Sequence, residues 1–186
     1  KIFLILAICM GIIVLVSNYL VQFPFEFFGQ EEILTYGAFS YPIAFLITDL
    51  ANRSYGKIIA RKIVYIGFTI GILFSLWAFL YDLISIRIAV GSGTAFITAQ
   101  LLDVQIFDKL RKKKWFIAPL TSSFAGSMVD TLLFFSISFY GTGINWVTLS
   151  IGDLTIKIII ALIMLIPFKI LLLRVQDISK IEKANV

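Results

Sequence analysis

Three aspartates, Asp49, Asp103 and Asp130, fall inside long apolar runs of the chain. A carboxylate in hydrocarbon costs at least about 2.5 kcal/mol, so each needs a partner, a ligand or a proton. Asp130 is the most isolated, with no basic residue within two helical turns. Asp103 has Phe107 at i+4 in place of a cation, while Gln100, one turn away, adds an amide that both donates and accepts. For two other groups a local pair explains as much as a ligand role does: Asp49 with Arg53, and Asp153 with Lys157, are spaced i, i+4. Arg87 stands near the end of a run, where its stem can carry the guanidinium out to headgroups.

The elements that must position these groups follow from composition. Of 186 residues 60% are hydrophobic and only 15% charged, with a mean hydropathy of +0.99. A soluble domain carries roughly 25% charged residues, so this chain cannot coat a water-facing surface and reads as an all-α integral membrane protein. Spans of about 20 residues use up the length as one transmembrane domain. No room is left for a soluble catalytic domain or a nucleotide cassette, and no P-loop or dinucleotide fingerprint occurs. Energy for any transport must come from an ion gradient, the substrate gradient or a separate protein. The absence of histidine and a lone Cys9 argue against a structural zinc site or an intrachain disulfide, and no cofactor or metal is expected.

Hydropathy predicts six spans, at about 2–20, 33–50, 63–81, 84–107, 116–140 and 154–173, with Pro42 bending the second. The first run is too long for a signal-peptide core and is expected as a retained helix. The basic residues sort by side. All 16 except Arg87 and Lys157 fall at the N-terminus, in the second-to-third and fourth-to-fifth loops, or at the C-terminal end. The positive-inside rule then places both termini in the cytoplasm. Glu26, Glu31 and Glu32 fall in the first external loop. The net charge of +5 is accounted for by orientation and lipid contact, without nucleic acid. Small residues recur at helical spacing at Gly91, Ala95 and Ala99, leading to Asp103, and at Ser122 and Gly126, leading to Asp130. Such stripes let helix backbones approach closely in lipid. Ala7 and Gly11 form a shorter one.

Asp49 followed by Tyr55-Gly56-Lys57 and Ala60-Arg61 faintly resembles the phosphatidyltransferases that use CDP-alcohols, but the next span has no acidic residue to complete a metal set. A longer ordered series is more specific. It comprises Ser17 to Gln22, Gly37 to Pro42, Thr48-Asp49-Leu50 with Arg53 and Gly56, Arg87-Ile88-Ala89, and Gln100 to Val104. It continues with Trp115, Ala118-Pro119, Gly126, Asp130-Thr131, Asp153, Lys157 and Pro167. In order and spacing these segments, spanning roughly residues 17 to 170, resemble the bacterial queuosine-precursor transporters, a vitamin-uptake-transporter-like family. The resemblance implies a six-helix bundle like the substrate-binding subunits of energy-coupling-factor importers, located in the bacterial inner membrane. It implies uptake of a 7-deazaguanine, the 7-cyano or 7-aminomethyl precursor of queuosine, bound by Asn18, Asp49, Gln100, Asp103 and Asp130 with Arg87 and Lys157 as counter-charges. Tyr41 or Trp115 could stack on the ring. The alternatives are a binding subunit that needs a shared ATP-driven module, with Ala7 and Gly11 as its docking face, a small-vitamin transporter, or a membrane enzyme. A homo-oligomer is a further possible assembly.

Overall fold

The structure is a computed structural model that describes residues 2–20, 23 and 35–184, with the side chains of Asn18 and residues 175–184 outside the description. The acidic loop holding Glu26, Glu31 and Glu32 lies outside the described residues, as does the Asn18 side chain. Seven helices follow in order: α1 (Ile2–Leu20), α2 (Gly37–Ser40), α3 (Pro42–Tyr55), α4 (Lys57–Leu80), α5 (Ile86–Leu110), α6 (Ile117–Phe139) and α7 (Trp146–Ala184).

The second apolar run is divided where the sequence expects a bend. Tyr41 keeps helical angles and its N–H reaches Gly37 O at 3.1 Å, but Pro42 has no N–H to continue the ladder and becomes the first residue of α3. The short α2 and the longer α3 are therefore two pieces of one path. At the other end of α3, Gly56 takes φ 87°, a conformation that glycine adopts without strain, and the chain turns directly into α4.

Lys57–Leu80, Ile117–Phe139 and Trp146–Arg174 are long and apolar enough to cross a membrane. Two of the remaining expected spans, at α3 and α5, differ for a physical reason, and the apolar stretch Ile2–Ser17 of α1 is a shorter one. Residues 42–55 make only a short helix carrying Asp49, Asn52 and Arg53, and α5 carries Arg87, Gln100, Asp103, Asp108 and Lys109. Their polar groups are turned inward: Asp49, Asn52, Gln100 and Asp103 are all buried. Outward-facing positions are apolar, as along α7 at Ile159, Ile163, Ile166 and Ile170.

Small residues set the closest contacts. Gly91, Ala95, Ala99 and Asp103 form one buried stripe of α5, and the contact of α5 with α6 is the most extensive in the bundle. A Cβ on Gly91 would stand 2.3 Å from Ser138 Oγ of α6, and one on Gly126 would stand 2.6 Å from Phe45 Cε1 of α3. On α1, a Cβ on Gly11 would meet Ile70 Cδ1 of α4 at 2.6 Å, and Ala7 is buried in the same core as Ile63 and Val64. The face expected to dock an external module is thus already filled by α4, because the small residues admit that helix. Met10 against Gly67 and Gly11 against Ile70 show α1 and α4 running in the same direction. The ends of α3 and α5 and the starts of α1, α4 and α6 therefore share one pole, hereafter the basic pole.

Candidate functional site

Buried polar residues gather at two levels. The outer level lies away from the basic pole. Asp130 is 13 residues into α6, about 20 Å along it at 1.5 Å per residue. Asp153 and Lys157 sit one turn apart on α7, and the Lys157 ammonium reaches both carboxylates, Asp153 Oδ2 at 2.5 Å and Asp130 Oδ2 at 2.8 Å. Thr131 completes the knot: its hydroxyl donates to Asp153 Oδ2 at 2.7 Å and accepts from Lys157 Nζ at 3.2 Å. Lys157 also lies 5.2 Å from the centroid of the Tyr41 ring, a cation–π distance. All four knot residues are at most 5% exposed. Asp130 Oδ1 accepts no hydrogen bond of normal geometry from the described residues, and the Tyr41 phenol is the polar group beside it.

These groups form one wall of a cavity enclosing about 430 Å³ including its mouth. Ser17, Gly37, Tyr41, Ser92 and Phe134 line the rest with Ala95 and Phe135. Ligand sites for small organic molecules are mostly apolar with a few convergent polar groups, which is the character of this lining. Here the walls offer an aromatic face, free carboxylate acceptor capacity and an ammonium donor.

The inner level lies nearer the basic pole. Asp49 of α3 accepts from Ser122 Oγ at 3.2 Å and Ser123 Oγ at 3.3 Å, both on α6. Asp103 of α5 neighbours Asp49 and Ser122, yet neither of its oxygens accepts a hydrogen bond from a described residue. Beside them Thr48 Oγ1 donates to Gln100 Oε1 at 2.7 Å, and Asn52 Nδ2 donates to Val104 O at 2.9 Å. Asp49 and Ser123 border a small, mainly apolar crevice against Phe45, Leu165 and Phe168.

The structure divides the residues singled out from sequence. Asp130 and Lys157 meet in the outer cavity, with Asp153. Asp49, Gln100 and Asp103 cluster at the inner level. Arg87 takes part in neither: it is exposed, and its Nη2 donates to Tyr140 O at 2.6 Å, which ties the start of α5 to the end of α6. Arg53 does not pair with Asp49. Its guanidinium bonds Arg111 O and, at 3.3 Å, Trp115 O, while Arg111 Nη2 returns a bond to Arg53 O at 3.0 Å. The i, i+4 pair of Asp153 and Lys157 does form, and it draws in Asp130, which had no partner in its own helix. Trp115 lies under Lys169, 5.1 Å from its ring centroid, away from the cavity, so Tyr41 is the aromatic that faces the charged groups. The sequence marked Ser122 only as a small packing residue and Thr131 only within the resemblance, and it passed over Ser123; the side-chain partners of all three lie on other helices.

Comparison with known proteins decides the class. Residues 35–172 match the family model described as "Putative vitamin uptake transporter", which covers all but α1 and the end of α7. The chain belongs to that family. It is 36% identical to the "Probable queuosine precursor transporter" of Haemophilus influenzae, over 83% of this chain and 79% of that one. It is 33% identical to the "Queuosine precursor transporter" of Escherichia coli, over 89% and 86% of the two chains, and 27% identical to a "Probable queuosine precursor transporter" of Bacillus subtilis, over 86% and 80%. No solved structure matches. This family member is an α-helical membrane transporter and not an enzyme, and the span matched by the family model carries every residue of both polar levels except Ser17.

Proposed function

We propose that this family member imports a 7-deazaguanine precursor of queuosine into the cytoplasm, across the bacterial inner membrane, and that the substrate binds in the outer cavity. The relatives' names supply the substrate class. The observation that carries the site is the buried knot of Asp130, Asp153, Lys157 and Thr131 beside the Tyr41 ring. A deazaguanine presents ring N–H and exocyclic amino donors beside one carbonyl. Carboxylates accept such donors in pairs, an ammonium answers the carbonyl, and a phenol ring offers a stacking surface. Two carboxylates against a single ammonium leave acceptor capacity to spare, so a donor-rich base can enter without displacing Lys157.

The same reading takes the whole chain as one membrane domain of six spans: α1, the α2–α3 pair, and α4 to α7. Both ends lie inside, because the basic pole gathers Lys57, Arg61, Lys62 and Lys109 to Lys114. The cavity then lies in the outer half of the bundle, where a substrate arrives. Uptake of labelled precursor by cells unable to make it tests the proposal. Expression of the chain should restore queuosine in tRNA, and Lys157→Met should abolish the rescue while the protein still reaches the membrane. Rescue by a chain lacking both Asp130 and Lys157 side chains would refute the site.

A further inference from the structure

The inner level is a pair of buried carboxyl groups that substrate recognition leaves unused. Asp49 is 2% exposed and Asp103 is fully buried. They face each other from α3 and α5, with Ser122 of α6 against both. Two adjacent carboxylates in a dry interior cannot both stay ionised without a cation between them. The charges around the pair do not supply one. On α3, Arg53 is the cation that feels Asp49, but it makes no ion pair with it: its Nη1 and Nη2 bond Arg111 O and Trp115 O, and its guanidinium lies over the Phe107 ring. From α5 comes the neutral Gln100, from α6 the two serines, and from α7 the apolar Leu165 and Phe168. No charge from α1 or α4 acts on either carboxyl among the described residues.

The decisive detail is Asp103. It is a fully buried side chain set against Asp49 and Ser122, and neither oxygen accepts a hydrogen bond of normal geometry from a described residue. One proton shared by the two carboxyls would satisfy both. The pair also connects to the outer level. Ser123, Ser127 and Asp130 with Thr131 follow one another by single turns along α6, and Ser127 Oγ is buried without a partner. From Ser123 to Asp130 is seven residues, about 10 Å.

We propose that Asp49 and Asp103 form the site of a transported proton, so that the chain is a proton symporter: one proton enters from outside onto the carboxyl pair and leaves to the cytoplasm with each substrate. This rests on the import reading above and adds its energy source. No bond other than O–H forms or breaks, and the two carboxyls return to the same state after each cycle. With one proton per substrate, a pH gradient of one unit sustains about tenfold accumulation.

The test uses the full chain in liposomes loaded with a pH-sensitive dye, with labelled deazaguanine outside. Counterflow, exchange against internal substrate with no gradient, is read beside net uptake. Wild type should accumulate substrate about tenfold under an acid-outside gradient of one unit and acidify the lumen as it does so. Asp103→Asn should keep counterflow within about twofold, yet lose both the stimulation by the gradient and the acidification. Uptake that ignores the pH gradient, or that a sodium gradient drives alone, overturns the proposal, and so does full proton-driven uptake by Asp103→Asn. Absence of counterflow in the wild type would instead sink the import reading. The proton site then stands or falls by infrared difference spectroscopy of the purified protein. A carboxylic-acid carbonyl band at neutral pH that disappears in Asp103→Asn supports it, and no such band overturns it.

Discussion

The two polar levels of this bundle solve the same electrostatic problem in opposite ways. At the outer level, two carboxylates gain a lysine from a neighbouring helix and a threonine hydroxyl, and the charge is compensated in place. At the inner level, two carboxyls meet beside serine hydroxyls, and the nearest cation, Arg53, is hydrogen-bonded elsewhere. The first arrangement is rigid and ready to receive a donor-rich ligand. The second is complete only when a proton is present. The lesson is that a buried acid in a membrane protein is diagnosed by its partners across the bundle, more than by its depth.

Breaking the compensation should have the largest effect. Lys157→Met removes the only cation among the described residues that touches Asp130 and Asp153 and leaves two buried carboxylates unpaired, at a cost of about 3–5 kcal/mol. Thermal unfolding in detergent should show a large drop, and Lys157→Met combined with Asp130→Asn should recover part of it. The corresponding change at the inner level should be mild. Asp49→Asn puts an amide where the pair needs a donor, so stability should stay within about 1 kcal/mol of wild type. A loss at Asp49 as large as that at Lys157 would erase the distinction between the levels.

Packing between the levels offers an intermediate test. Gly126→Ala would place a methyl 2.6 Å from Phe45 Cε1 and 3.5 Å from Ala99 O. The ring is buried beside the inner crevice, so the overpacking should cost about 1–3 kcal/mol in the same unfolding assay. The smallest effect belongs to Arg87→Ala. Its guanidinium is exposed and bonds one backbone carbonyl, so stability should change by about 0.5 kcal/mol or less, and substrate affinity should be unchanged.

How much of this was legible beforehand depends on the range of the interaction. Apolar runs, the bend at Pro42 and the small-residue stripes are local patterns, and they mark the helices and their contact faces. The i, i+4 spacing of Asp153 and Lys157 also announces its pair. The Asp49–Arg53 spacing announces a pair that does not form, because the Arg111 and Trp115 carbonyls at the end of α5 and the turn after it compete for the guanidinium. The partners of Asp130 and Asp103 come from other helices, 27 and 54 residues away at Lys157 and Asp49. Spacing along one helix carries no information about such meetings. Arg87, read from its own position as reaching outward, does stand in the open near the start of α5, bonded to Tyr140 O.

The division of labour between the levels is tested most directly by equilibrium binding of a 7-deazaguanine to the purified wild type, Asp130→Asn and Asp103→Asn. Removing the outer carboxylate deletes hydrogen bonds made to a charged group, so Asp130→Asn should bind about ten- to a hundredfold more weakly. Asp103→Asn should bind within about twofold of wild type. The reverse order, or equal loss in both variants, would contradict the assignment of recognition to the outer cavity.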